Sequence, residues 1–162
     1  KEEALRQLFW QYGELRTATV LAKTIVQARE LAPIDTTFDL KTILKKHLPH
    51  GRENKILAQI YQAIRIEVNQ EIEVLKVFLL QTPSLLKTNG RLSIISYHSL
   101  EDRLVKRFIR NGLFEGEPEK DIFGNFEVPL KKVGRLIIPT SAEIKSNNRA
   151  RSAKLRIAQK VN

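Results

Sequence analysis

The sequence predicts an α/β fold whose sheet is incomplete and which carries an all-helical attachment. Three observations support this. Apolar residues recur at helical spacing through roughly the first eighty positions. At Arg91 the period changes, and RLSIISY begins the first of only three strand-like segments. The 7 glycines form no GxG anywhere, so no phosphate loop and no dinucleotide- or adenosyl-binding turn can be drawn.

Four helices come first. Leu5, Leu8, Phe9 and Tyr12 share a face over residues 2–12, and Gly13 breaks the run. Leu15, Ala18, Ala22 and Ile25 repeat the pattern over 14–30 until Pro33 ends it. Thr36 and Thr37 offer caps for a third helix through Leu44, ending near His47. KKHLPHGRENK, residues 45–55, reads as a polar loop. Its His47 and His50 lack a third ligand nearby, so no metal site is expected. One long helix is predicted from Glu53 to Leu80. Its apolar stripe is Tyr61, Ile64, Val68, Ile72, Leu75 and Leu79, with Gln62, Arg65, Asn69 and Glu73 as a polar stripe beside it. Thr82-Pro83 then predicts a short extra turn before Asn89-Gly90.

The strands follow. RLSIISY is short, β-branched and largely apolar, as a buried strand of a covered sheet would be. Ser99-Leu-Glu-Asp102 has the form of a capping box opening a helix to about Asn111, with Gly112 as its stop. Residues 114–125 read as loop, and VGRLIIP, 133–139, as a second strand. Thr140-Ser-Ala-Glu143 caps a short helix. In SAKLRIAQKV, the third strand and an edge-like one, Ala153, Leu155, Ile157 and Val161 alternate with Lys154, Arg156 and Lys160. One buried and one basic face are therefore expected. Three strands are fewer than the roughly four to six of a self-sufficient sheet. The chain also has no methionine, even at position 1. Both facts predict that it is a piece of something longer.

Composition narrows the function classes. With no cysteine, disulfides and thiolate metal sites are excluded. No apolar run approaches the roughly 18 residues of a membrane helix, and Lys1-Glu2-Glu3 does not begin a signal peptide. A cytoplasmic protein with no membrane partner is expected. The net charge is +10, and from Lys131 onward Glu143 is the one acid against nine basic residues. A stripe of that kind is the footprint of a polyanion, most often nucleic acid.

The side chains that carry chemistry cluster at SYHS. Tyr97, His98 and Ser99 lie at the carboxyl end of the first strand, where open α/β sheets bind ligands. His98 either lines a site, as a hydrogen-bond donor or proton shuttle, or is a satisfied structural histidine. Ser99 and Asp102 have a duty as caps. No serine has an evident His/Asp partner, so a hydrolase triad is not supported. Arg65 and Asn69 share a helix face, and either contact a ligand or bridge to the SYHS turn. Arg149 and Arg151 suit phosphate contacts, or else pack against Glu101 and Asp102.

Together the motifs resemble one family. GRLSIISYHSLEDRLVKRF and NNRARSAKLRIAQK are similar to the C-terminal signatures of the MraW/RsmH methyltransferases, and YGELRTATVLAKTIVQAR, APIDTTFDL and IYQAIRIEVNQEIEVL fit the same pattern. The resemblance covers nearly the whole chain. Tyr61 stands where phenylalanine is common, and residues 112–130 are not distinctive. The resemblance implies methylation of N4 of a cytosine in 16S ribosomal RNA, with S-adenosylmethionine as cofactor and the small ribosomal subunit or its RNA as partner. It also implies a partial class I (Rossmann-like) methyltransferase sheet, its last three strands, plus an all-α inserted substrate-recognition domain. Residues 1–52 would belong to that insertion, and 53–162 to the C-terminal part of the methyltransferase domain. The cofactor residues would lie upstream of Lys1, so the chain alone would be inactive. What remains here is the flank of the base pocket at Tyr97, His98 and Ser99. Arg65, Asn69, Arg149, Arg151, Lys154 and Arg156 are left as RNA-contacting candidates. The implied reaction is direct attack of the exocyclic amine on the methyl sulfonium, which needs positioning but no covalent nucleophile. A non-catalytic RNA-binding or ribosome-assembly module that keeps only this half is the alternative.

Overall fold

A computed structural model describes residues 1–161, which form seven α-helices and one three-stranded antiparallel sheet. They divide into two compact units, Lys1–Glu71 and the part from Ile72 onward.

The first unit is all helix: α1 (Glu2–Gln11), α2 (Ala18–Leu31), α3 (Thr37–Leu44) and α4 (Glu53–Val68). Its core joins Phe9, Leu21, Leu44 and Ile60, each fully buried, with Leu15, Ile25 and Ala63. Gly13 sits where the chain leaves α1 and turns inward, and a Cβ there would lie 2.7 Å from the Phe9 carbonyl oxygen. The second helix starts at Ala18, later than its apolar spacing implied, because Glu14 adopts a positive φ and residues 14–17 stay out of the helix. Thr36 caps α3 as expected, in a box with Asp39. His47 is tied to Thr24, with Nε2 and Oγ1 2.8 Å apart, which gives it a structural task.

The long helix expected over residues 53–80 is two helices. α4 ends at Val68 and α5 (Glu71–Leu85) begins after Gln70, whose φ is 52°. The buried face of α4 is Leu57, Ile60, Ala63 and Ile66, rotated from the expected stripe, and Val68 is 75% exposed. Tyr61 is half-buried, and its hydroxyl donates to the Thr37 carbonyl at 2.9 Å. Ile72 and Leu79 are buried as the stripe implied.

Thr82-Pro83 opens no new turn, because α5 runs through it. Pro83 has no N–H for the carbonyl of Leu79 four residues back. The buried Thr82 hydroxyl donates to that oxygen instead, at 2.7 Å. The helix continues past its proline because the acceptor is still satisfied.

The second unit holds β1 (Arg91–Ser96), α6 (Ser99–Asn111), β2 (Leu130–Ile137), α7 (Ser141–Ser146) and β3 (Lys154–Lys160). The sheet order is β1-β3-β2, and both outer strands run antiparallel to β3. The last strand is therefore central and not edge-like. Leu92 and Ile94 pair with Ala158 and Arg156, which places those residues on one face. That face packs under α6, where Val105, Phe108 and Ile109 join Leu79, Leu130 and Ala158 in the core. The other face is partly open: Ile95 is 57% and Ile137 50% exposed. β1 is thus half-buried and not covered on both sides as its composition suggested.

Gly112 ends α6 in the left-handed region, at φ 71°, with its N–H on the Phe108 carbonyl at 2.8 Å. Just beyond it the Phe114 ring stacks on Phe108 with centroids 5.1 Å apart. A Cβ at Gly112 would also lie 3.2 Å from Pro129 Cδ. Gly112→Ala is therefore expected to destabilise this unit by about 1–2 kcal/mol, read as a lower urea midpoint.

Candidate functional site

β1 delivers the chain to a turn that is held by side chains. Ser96 is the last strand residue and is buried; its hydroxyl makes no hydrogen bond. Tyr97 is 57% exposed. His98 is extended, at φ −137° and ψ 166°, and caps α6. Its Nδ1 accepts from the Glu101 N–H at 3.4 Å, and Glu101 Oε2 accepts from the N–H groups of Tyr97 at 2.8 Å and His98 at 3.3 Å. The helix is thus capped one residue earlier than the Ser99-to-Asp102 spacing implied. Both pairs fit the three-residue offset of a capping box, and the imidazole nitrogen takes the role expected of the serine. Ser99 is left exposed.

The cap constrains what His98 can do chemically. With Nδ1 accepting, a neutral ring carries its proton on Nε2. That atom is buried and stands 3.2 Å from Glu101 Oε1 without hydrogen-bonding geometry. Burial works to raise the Glu101 carboxyl, but the His98 side chain and the Tyr97 N–H outweigh it and hold the group below the usual glutamate value. In this arrangement His98 and Glu101 fix the course of the backbone, and Tyr97 is the group presented outward.

Asp102, the next residue, does something the sequence did not suggest. Its carboxylate receives Arg156 through Nε to Oδ1 at 2.7 Å and Nη2 to Oδ2 at 3.1 Å, and Lys154 Nζ at 3.3 Å. Burial would raise this carboxyl, yet the hydrogen bonds and charges of Arg156 and then Lys154 bring it below the ordinary aspartate value. The face of β3 expected to be basic, opposite a buried one, is therefore the face under α6, where Asp102 pairs with Arg156 and Lys154. Spacing within SLEDR holds no sign of a partner some fifty residues away; only the alternation in β3 and the acid at the start of α6 could have been paired.

The other candidates have separate surroundings. Arg65 donates to both oxygens of Glu71, at 2.8 and 3.0 Å, and Asn69 reaches the same carboxylate at 3.2 Å. Arg149 and Arg151 are exposed in the 3₁₀ turn Asn148–Ser152, which the Asn147 side chain caps through the Arg149 N–H. They do not form the packing with Glu101 and Asp102 that was the alternative for them, since those acids are engaged by His98 and by β3. The turn after β1 does not fit an adenosylmethionine cradle: it has no glycine, and the N–H groups of Tyr97, His98 and Glu101 are met by Glu101 and His98.

The profile of the MraW methylase family matches residues 1–161. The chain is 66% identical over 161 residues to the Ribosomal RNA small subunit methyltransferase H of Flavobacterium johnsoniae, covering 99% of this chain and 53% of that protein. It is 67% identical to the protein of the same name from Christiangramia forsetii and 48% identical to that from Bacteroides thetaiotaomicron, with the same coverage in each case. The chain spans about half the length of the curated relatives it matches.

Two outcomes are expected of this geometry. Asp102→Ala leaves the Arg156 side chain, 13% exposed, without its counter-charge, and should cost about 3 kcal/mol in urea denaturation. Because the folded carboxyl is depressed, the pair stabilises fully above the unfolded value of about 4 and is lost as pH falls through the folded value. Stability should drop on that acid limb in the parent protein and fall less in Asp102→Asn. His98→Ala should lose about 1 kcal/mol with its cap, and His98→Asn, which restores a capping acceptor, should recover most of it.

Proposed function

The chain belongs to the MraW methylase family, and from that premise we propose that it is the C-terminal part of an S-adenosylmethionine-dependent methyltransferase acting on N4 of a cytosine in 16S ribosomal RNA. What carries the proposal is the family match across residues 1–161, together with relatives named for the small-subunit ribosomal RNA at up to 67% identity.

In this reading residues 1–52 belong to the inserted helical substrate-recognition domain, and 53–162 are the C-terminal part of the class I methyltransferase domain. β1, β3 and β2 are the last three strands of its sheet. The cofactor is held by a part of the complete protein that this chain does not span. The protein works in the cytoplasm on the small subunit or its RNA. Tyr97, with the turn that His98 and Glu101 hold behind it, flanks the target base; His98 is a positioning residue. Arg149 and Arg151 contact phosphates. Lys154 and Arg156 of β3, and Arg65 and Asn69 at the end of α4, complete the RNA-contacting set.

The test uses the complete protein with labelled S-adenosylmethionine and small subunits lacking the modification. Digestion of the RNA to nucleosides should show label in N4-methylcytidine. An immunoblot of source cells should show a band near twice 18.7 kDa. A band at 18.7 kDa with no methyl transfer would instead support the non-catalytic RNA-binding or assembly module. Reversing Arg149 and Arg151 to glutamate should weaken RNA binding and reduce the magnitude of its log–log salt slope by about 1–2. An unchanged slope would remove both residues from the interface.

A further inference from the structure

A cavity of about 340 Å³ lies between α6 and β2, away from the turn after β1. Its apolar lining includes Ile109 and Leu130, both buried, with Val133 and Ile157 half-buried. Around them stand exposed Lys106 and Arg110 from α6 and Lys131, Lys132 and Arg135 from β2. No acidic side chain lines it. Arg156 also reaches it, but its charge is met by Asp102. Arg110 is anchored through Nε on Asn111 Oδ1 at 2.9 Å.

The backbone explains how one strand supplies so many of these groups. In a regular strand Lys131, Val133 and Arg135 would face one side, and Lys132 and Leu136 the other. The pairing of β2 with β3 shifts register between Val133 and Ile137, and Gly134 sits at φ 67°. A bulge of this kind re-aims side chains, and residues of both parities line the one cavity. Like charges gathered in this way repel each other. Net charge alone would be served as well by scattering them over the surface.

We infer that this cavity seats one nucleotide of a single-stranded RNA, its base against the apolar floor and its flanking phosphates on the five cations. The chemistry of the lining selects the occupant. A bare anion has no use for Ile109, Leu130 and Val133, and a hydrocarbon has no use for five cations. A nucleotide is flat and apolar on one part and anionic on the other. The volume is at the small end of the roughly 300–1,000 Å³ range of ligand sites, which suits one splayed base and not a duplex, whose bases are stacked away. The choice of RNA rests on the methyltransferase reading above; the cavity would be a second contact for the same substrate, apart from the turn that flanks the target base.

The test measures binding of a labelled single-stranded RNA hexamer to the complete protein by fluorescence anisotropy, with a duplex of equal length as competitor. Lys132→Glu together with Arg135→Glu should weaken hexamer binding about tenfold. Leu136→Ser, a floor change at an exposed position, should weaken it about threefold. Melting temperatures should stay at the parent value, and the duplex should compete poorly. If the rim pair alone matters, or inorganic phosphate displaces the hexamer at equal concentration, the site takes simple anions and the inference fails. It fails too if neither variant changes binding, or if a glutamate- and leucine-rich peptide binds with these sensitivities while the hexamer does not. Methyl transfer measured on the same preparations keeps the two readings apart. A parent protein that does not methylate defeats the enzyme assignment, whereas insensitive hexamer binding defeats only the cavity.

Discussion

Asp102 accepts from Arg156 and Lys154 across more than fifty residues of sequence, and the second unit is organised around that contact. It joins the first turn of α6 to the central strand and pairs with two cations on the covered face of the sheet. It also sets the height at which α6 lies over β1, because Ile94 pairs with Arg156 in the same register. The turn carrying Tyr97 and His98 sits between the end of β1 and the start of α6. Its position is therefore set by the sheet and the clamp together. A buried ion pair is not a strong source of net stability, but it does discriminate. A register slip of one residue in β3 would turn Arg156 away from Asp102 and leave an unpaired acid under the helix.

Much of this fold was legible in the sequence, and the failures share a cause. Helix ends marked by Gly13 and Gly112 were readable because glycine there answers a backbone requirement. All three strands were readable from β-branched runs and alternation. The break at Asn69-Gln70 was not, because neither residue is a glycine or proline and the apolar spacing continues through it. The cap at His98 was hidden by Ser99, a better capping residue by preference, standing beside it at the same offset. The division of β3 into a buried face and a basic one failed because alternation tells two faces apart without saying which one a helix covers. Only the last of these was decided by a partner distant in sequence, Asp102 against β3; the break and the cap were decided by neighbours a few residues away.

The site candidates separate along the same line. Tyr97 and the two arginines at 149 and 151 are exposed, whereas Arg156, Arg65 and Asn69 are engaged by acids within the chain. A count of basic residues treats all of these alike. The structure instead distinguishes charge used internally from charge offered to solvent. The offered charge gathers in the 3₁₀ turn before β3 and around the cavity beside β2.

The sheet order has a consequence for how the protein is made. β1 and β2 both pair with β3, and among the described residues they do not pair with each other. The strand between them is the last of the three to be synthesised. Until it emerges, α6 has no counter-ion for Asp102, and the two earlier strands have no common neighbour. The second unit must therefore assemble after synthesis of its final strand, and its contacts are distant in sequence, which slows folding. During that interval Ile94, Val105 and Phe108 wait for their cover, and nascent chains with such apolar segments are the ones that need protection from aggregation. For the same reason, a stop codon ahead of Lys154 would remove seven strand residues and with them the pairing of the whole sheet.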